Sequence, residues 1–365
     1  MGTRRQFVVA GAALALAGCS GARGTRPSSS DVVSTEGVAQ TDWETASPGS
    51  HGIPSLTVEE VLGAGADVPG LRSLLVVRNG VLIGERYYRG ASPSDLLPIA
   101  SVTKSISSML VGLALERGTI ASLKEPVARL LPRAAAQVPD SPVANLTLEE
   151  ILTGHSGLAF DIFKANELAN SPDPVRLAMS LPRTPPPPSG WTYNDPVVGL
   201  LSPILAHAEG RDLAAVAMRD LFTPLGIERF AWRRDRQRNP LSYAGLAMRT
   251  RDLAKVAWAM TDSGVWRGKQ VLPRHWVAQS TRAYGPADWR VPPVENVRYG
   301  YLWFTGSLSG RHVVWGWGYG GQFALFAPEL RLAVATAATS PLRENLAHQT
   351  NSIMALVARL VLAAT

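Results

Sequence analysis

Ile99-Ala100-Ser101-Val102-Thr103-Lys104-Ser105-Ile106 is the stretch of this chain that decides its fold. Ser101 and Lys104 are three residues apart, so a helix places both on one face. The flanks predict such a helix. Pro98 precedes it, Ser101 stands at its start, and Ile106, Met109, Leu110 and Leu113 recur at helical spacing up to a stop at Gly118. Ser101, Lys104, Ser105 and Ser108 form a second, polar stripe. A lysine amine then lies beside a serine hydroxyl with no histidine required. Serine alone is a poor nucleophile near neutral pH and needs an adjacent base. The helix N-terminus adds partial positive charge where an oxyanion would develop. Taken alone, S-x-x-K is also a common tetrapeptide, and serine is a common helix cap. The choice of cation weighs toward chemistry. Five of the 36 basic residues are Lys, and lysine can be tuned to release its proton whereas arginine cannot.

Outward from this helix, residues 71–77, Asn79-Gly80 and residues 81–88 read as a β-hairpin with an Asn-Gly turn. Residues 119–284 carry mostly helical patterns (197–207, 213–221 and 252–260) broken by Pro and Gly. After Tyr299 the pattern changes to short strands at 299–305, 312–317, 323–327 and 332–336, followed by a closing helix at about 344–362. A hairpin early and strands late predict an α+β fold: one antiparallel sheet built from both ends of the chain and flanked by helices. A helical subdomain at about 119–284 is inserted between them. With 365 residues the chain can bury a large core, here assigned to residues 53–365.

The formal charge of +7 comes from arginines scattered along the chain, with no nucleic-acid-binding module among them. At the N-terminus, Arg4-Arg5, an apolar run at 7–17 and Leu16-Ala17-Gly18-Cys19 read as an export signal over residues 1–18. The run is too short to span a bilayer. Leu-Ala-Gly-Cys resembles the bacterial lipoprotein processing box, which makes Cys19 the expected lipidation site and the membrane a partner. Thr3-Arg4-Arg5-Gln6-Phe7 also resembles a twin-arginine signal. Cys19 is the single cysteine, which excludes an intramolecular disulfide. Residues 19–52, rich in Gly, Ser, Thr and Pro, read as a flexible tether.

Two further segments carry candidate chemistry. Trp191-Thr192-Tyr193-Asn194-Asp195-Pro196 follows the proline run 185–188. A phenol such as Tyr193 beside a lysine can act as general acid or base; the plainer reading is a packed aromatic. Asp195, followed by Pro196 and an apolar helical pattern, reads first as a helix N-cap with proline at N1. In Trp315-Gly316-Trp317-Gly318-Tyr319-Gly320-Gly321-Gln322, an extended strand puts the aromatics on one face and the glycines on the other. Strand glycines mark close approach by another chain or a ligand, and backbone N–H groups here would complement that of Ser101 in an oxyanion hole. The alternative is an aromatic-packed sheet edge. Gly154-His155-Ser156-Gly157-Leu158 fails the nucleophile-elbow pattern at Leu158, so His155 is read as structural. The six histidines show no metal-ligand spacing.

In order and spacing these segments resemble the penicillin-recognising serine hydrolases. The closest resemblance is to the class C β-lactamase-like branch with family VIII esterases and 6-aminohexanoate-dimer hydrolases. Leu146-Thr147-Leu148-Glu149-Glu150-Ile151-Leu152-Thr153-Gly154-His155-Ser156-Gly157-Leu158, Pro224-Leu225-Gly226-Ile227 and Gly245-Leu246-Ala247-Met248 complete the matching set, over roughly residues 55 to 360. The resemblance implies Ser101 as acylated nucleophile, Lys104 as its proton partner and Tyr193 as proton shuttle, with no metal or organic cofactor. It places Asp195, Trp315, Trp317, Gly318, Gly320, Gly321 and Gln322 at the substrate.

The chain departs from the family pattern twice. Asp195 stands where Tyr-x-Asn is common, and the Lys-Thr-Gly of penicillin-binding enzymes is absent. A site without that lysine binds β-lactam carboxylates poorly, unless Arg298 or Arg311 replaces the charge. The expected substrate is therefore a small ester or amide. β-Lactamase, D-amino-acid peptidase and a catalytically silent envelope-binding protein are the alternatives.

Overall fold

A computed structural model describes residues 32–34, 42–158, 160–184 and 189–365. Asn79 and Gly80 take φ of 53° and 83°, the paired positive values of a tight hairpin turn. They join β2 (Leu71–Arg78) to β3 (Val81–Tyr87). The rest of this sheet comes from the other end of the chain: β9 (Gly285–Pro286), β10 (Glu295–Tyr299), β11 (Phe304–Leu308), β12 (Arg311–Gly318), β13 (Gln322–Ala327) and β14 (Leu332–Ala338). The eight strands run β3-β2-β14-β13-β12-β11-β10-β9, and every pairing is antiparallel. The register Val334↔Val76 joins the two chain ends in mid-sheet. Every residue of β13 and β14 is buried, which explains their continuous apolar runs in place of alternation.

Helices cover this sheet. Ser55–Ala64 and Leu346–Ala363 pack on each other, and Thr250–Thr261 lies along β2, β13 and β14. The Ser101 helix, Val102–Glu116, packs against β12 and β13. It is buried from Val102 to Ala114, so its polar residues do not form a solvated stripe. Ser105 and Ser107 are instead satisfied inside the protein, whereas the buried Ser108 hydroxyl has no hydrogen-bond partner. Ser105 Oγ donates to the Leu302 carbonyl at 2.8 Å and Ser107 Oγ to the Ser242 carbonyl at 2.7 Å.

Several expectations need correction. The strand expected at 299–305 is two strands, β10 and β11, because the chain turns at Gly300–Trp303 and Leu302 takes a φ of 59°. The helix expected at 197–207 is broken into Asp195–Gly199 and Leu201–Glu209. The inserted region is not purely helical. Strands β5 (Arg229–Trp232) and β6 (Leu246–Met248) join β1 (Val32–Ser34) and β4 (Leu97–Pro98) in a second sheet, order β1-β5-β6-β4. A further ribbon pairs β7 (Val265–Trp266) with β8 (Lys269–Gln270). β5 and β6 lack an alternating pattern because their residues are largely buried on both sides.

The tether expected to reach residue 52 joins the fold by Asp42. Its carboxylate pairs with Arg249 at 3.2 Å and Lys255 at 3.0 Å, and Trp43 Nε1 donates to the Arg251 carbonyl at 3.1 Å. The export signal and Cys19 lie outside the described residues, as does the 185–188 proline run. Among the described residues, no helix is long and apolar enough to cross a membrane.

Candidate active site

Ala100 turns the chain into the Ser101 helix with a φ of 47°, a left-handed conformation that costs a non-glycine residue energy. The approach is pinned on both sides. Ile99 N–H donates to the Leu246 carbonyl of β6 at 2.9 Å, and Thr103 Oγ1 donates to the Ala100 carbonyl at 2.6 Å. Ser101 thereby stands partly exposed at the helix start, with Lys104 one turn deeper and 2 % exposed.

Lys104 Nζ approaches three oxygens. They are Ser101 Oγ at 3.1 Å, the Tyr243 carbonyl at 2.9 Å and Asp195 Oδ1 at 2.7 Å. Its nitrogen also lies 4.5 Å from the centre of the Tyr193 ring. Burial pushes the Lys104 amine below its usual range, while the Asp195 carboxylate pulls it back up. The Ser101 hydroxyl lies beside the Tyr193 phenol, and a hydrogen bond from it would lower the phenol's pKa. Burial, reinforced by the Asp195 charge, raises the Tyr193 phenol well above the ordinary range and outweighs that effect, so it keeps its proton at neutral pH. The fold has therefore gathered a hydroxyl, an amine and a phenol at one point.

Asp195 is not the helix cap. That position belongs to Asn194, whose Oδ1 accepts from Val197 N–H at 3.0 Å, with Asp195 and Pro196 opening the helix. Asp195 is freed for Lys104. The Asn194 amide also donates to the Leu158 carbonyl at 2.7 Å, tying Tyr193 to the Gly154–Leu158 segment. His155 in that segment packs beside Gly190 and Gly285.

The glycines of β12 let the sheet pack closely against the Ser101 helix and its approach. A Cβ on Gly316 would stand 2.8 Å from Ser105 Oγ and 2.9 Å from Val102; one on Gly318 would stand 2.6 Å from the Ile99 carbonyl. Those distances are closer than real Cβ contacts. The expected pocket residues separate here. Trp315 is fully buried, stacked 5.7 Å from Phe304, and Gln322 is 1 % exposed, its amide donating to the Ala338 carbonyl at 2.7 Å. Gly320 and Gly321 form the β12–β13 turn against Gln349 and Ile353 of the last helix. Trp317 is half-buried and packs 5.5 Å from Trp289. Trp289, which was not singled out in the sequence, also lies 4.4 Å from the Tyr193 ring. It sits in a loop without periodicity, and its partners are distant in the chain.

The two arginines considered as replacements for the missing lysine are elsewhere. Arg311 opens β12, at the end of the strand opposite Gly318. Arg298 is exposed and neighbours Tyr299, whose ring packs on Trp191 and Phe304; successive strand residues face opposite sides.

Residues 57–359 match the family model described as Beta-lactamase. The chain belongs to the β-lactamase family. A curated relative, Esterase EstB of Burkholderia gladioli, is 27% identical over 188 residues. That match spans about half the length of either protein, 47% of each. Solved structures of the same fold include a candidate 6-aminohexanoate-dimer hydrolase from Bacillus anthracis, with TM-score 0.66, 18% identity, and coverage of 84% of this chain and 81% of that one. A class C β-lactamase from Rhodobacter sphaeroides superposes with TM-score 0.60 and 21% identity, over 84% of this chain and 99% of that one. Within this family fold, the Ser101 helix and the glycines of β12 bring the sheet and the inserted region together at one site.

Proposed function

We propose that the protein is a serine hydrolase that cleaves small esters or amides through an acyl-enzyme on Ser101. The observation that carries this is the meeting of Lys104 Nζ, 3.1 Å from Ser101 Oγ, with the Tyr193 phenol beside the same hydroxyl. Ser101 attacks the acyl carbon. The oxyanion forms at the N-terminus of the Val102–Glu116 helix, where the backbone dipole favours negative charge. Tyr193, held as a phenol, delivers a proton to the leaving group, and the same residue orients the water that releases the acyl group.

The substrate class follows from the rim. Tyr193, Trp289 and Trp317 form a half-buried aromatic wall, suited to neutral, apolar or aromatic-flanked acyl groups. Lys104 is committed to Asp195, and Arg298 and Arg311 lie away from the wall, which disfavours β-lactam carboxylates. Side-by-side turnover of a p-nitrophenyl ester and a chromogenic cephalosporin tests this. Ester turnover exceeds cephalosporin turnover and disappears in Ser101→Ala; the reverse ordering refutes the substrate assignment. Ester hydrolysis dependent on Ser101 also excludes a silent binding protein. We extend the proposal to location: export, with lipidation of Cys19 tethering the enzyme to a membrane, checked by mass spectrometry of the mature N-terminus.

A further inference from the structure

Asp195 gives this site a buried carboxylate where the resembled family commonly carries an asparagine. Its side chain is 6 % exposed and that of Lys104 2 %, and they touch at 2.7 Å. An ammonium has three N–H donors and no acceptor. Two reach hydrogen-bond acceptors, the Tyr243 carbonyl at 2.9 Å and Ser101 Oγ at 3.1 Å, and Asp195 Oδ1, which has no hydrogen-bond partner of its own, lies at ion-pair distance from the same nitrogen. Among the described residues Lys104 is the cation paired with Asp195, and a buried carboxylate without a countercharge would be costly. The resting pair is therefore ammonium and carboxylate, and Lys104 has no lone pair for the serine proton. Tyr193 cannot take that proton either, because it is already a phenol.

We infer that Asp195 is the terminal proton acceptor of acylation, working through Lys104 as a relay. As Ser101 Oγ bonds to the acyl carbon, its O–H bond breaks and a new N–H bond forms on Lys104. In the same step the Lys104 N–H facing Asp195 breaks and an O–H bond forms on Asp195. The carbonyl electron pair moves to the oxyanion. Lys104 carries one positive charge before and after, and the negative charge passes from Asp195 to the oxyanion. When Tyr193 protonates the leaving group, the proton held by Asp195 restores the phenol and the ion pair re-forms. Asp195 acts through Lys104 and is thus a positioning residue. The titratable groups that feel its charge are Lys104 from the Ser101 helix, Tyr193 from its own segment, Tyr243 from the approach to β6 and Tyr299 from β10.

This inference rests on Ser101 being the acylated residue, and the test separates the two claims. Single-turnover acylation with a p-nitrophenyl ester is followed in H₂O/D₂O mixtures, with intact mass confirming the adduct on Ser101. Two protons in flight give the wild type a bowl-shaped rate dependence on deuterium fraction. In Asp195→Asn one proton moves, the dependence becomes linear, and kcat/KM falls about 100-fold. The acid limb of its pH profile also moves to higher pH, because Lys104 itself must then be neutral. A residue that merely held the structure would lower the rate equally at every pH. A linear dependence in the wild type, or an unshifted acid limb in a folded Asp195→Asn, overturns the relay while leaving Ser101 acylation intact. Absence of a Ser101 adduct in the wild type removes both claims. If Asp195→Asn does not fold, the wild-type dependence alone decides.

Discussion

Replacing Lys104 with methionine keeps most of the side-chain volume and removes the charge. The Lys104 and Asp195 side chains are 2 % and 6 % exposed, so the carboxylate left behind stays out of water with no partner cation. Breaking a buried pair from one side costs about 3–5 kcal/mol. The Tyr243 carbonyl also loses its donor, and that loss is part of the same figure. Removing both charges, as in Lys104→Met/Asp195→Leu, leaves no stranded ion, and stability returns to within about 1 kcal/mol of the wild type or rises above it. The assay is urea unfolding at pH 7 followed by tryptophan fluorescence, with ten tryptophans as reporters. A loss below about 1 kcal/mol for Lys104→Met, or a double variant no better than the single, would show that the pair is not buried as described.

Further outcomes follow from neighbouring geometry. Tyr193→Phe lowers ester kcat by about 100-fold to 10,000-fold while the fold, checked by circular dichroism, is unchanged; near-wild-type turnover would remove Tyr193 as leaving-group donor. Trp289→Ala raises KM for an aromatic acyl ester about 10-fold more than for an acetyl ester, and equal effects would exclude the aromatic wall from substrate binding. Glu209 has its carboxyl lowered from 4.5 to about 2. Its burial alone would raise it, but hydrogen bonds from Arg117, Thr119 and Arg219 outweigh that. A lowered folded value means the contribution is complete above pH 4.5 and is lost as pH falls toward about 2. Urea midpoints of Glu209→Gln therefore converge on the wild type across that window; a constant gap would contradict the assignment.

The Ser101 helix and the hairpin were legible because their signals are local. Ser101 and Lys104 are set by helical spacing, and Asn79-Gly80 names its own turn. The late strands were legible as apolar runs, but the turn at Gly300–Trp303 was hidden inside one because Tyr301, Leu302 and Trp303 are themselves buried. Asp195 was misread for a physical reason. Asp-Pro satisfies a capping signature whether or not the preceding residue caps better, and Asn194 does so here. The role of Lys104 as a hub of three oxygens depends on Tyr243, 139 residues away in the chain, which no local pattern records. Trp315 and Trp317 carry the same residue type two positions apart. Pairing with Phe304 buries the first, and the second lies near the strand end, where coverage is thinner. Trp289 joined the site only through packing between distant segments.

The most direct test of the account is covalent. Incubation of the full protein with a fluorophosphonate serine probe, followed by peptide mass spectrometry, places a single adduct on Ser101. The label is lost in Ser101→Ala, and labelling is slower in Lys104→Met. Folded, unlabelled wild-type protein, or an adduct on another serine such as Ser156, would contradict the assignment of Ser101 as the nucleophile.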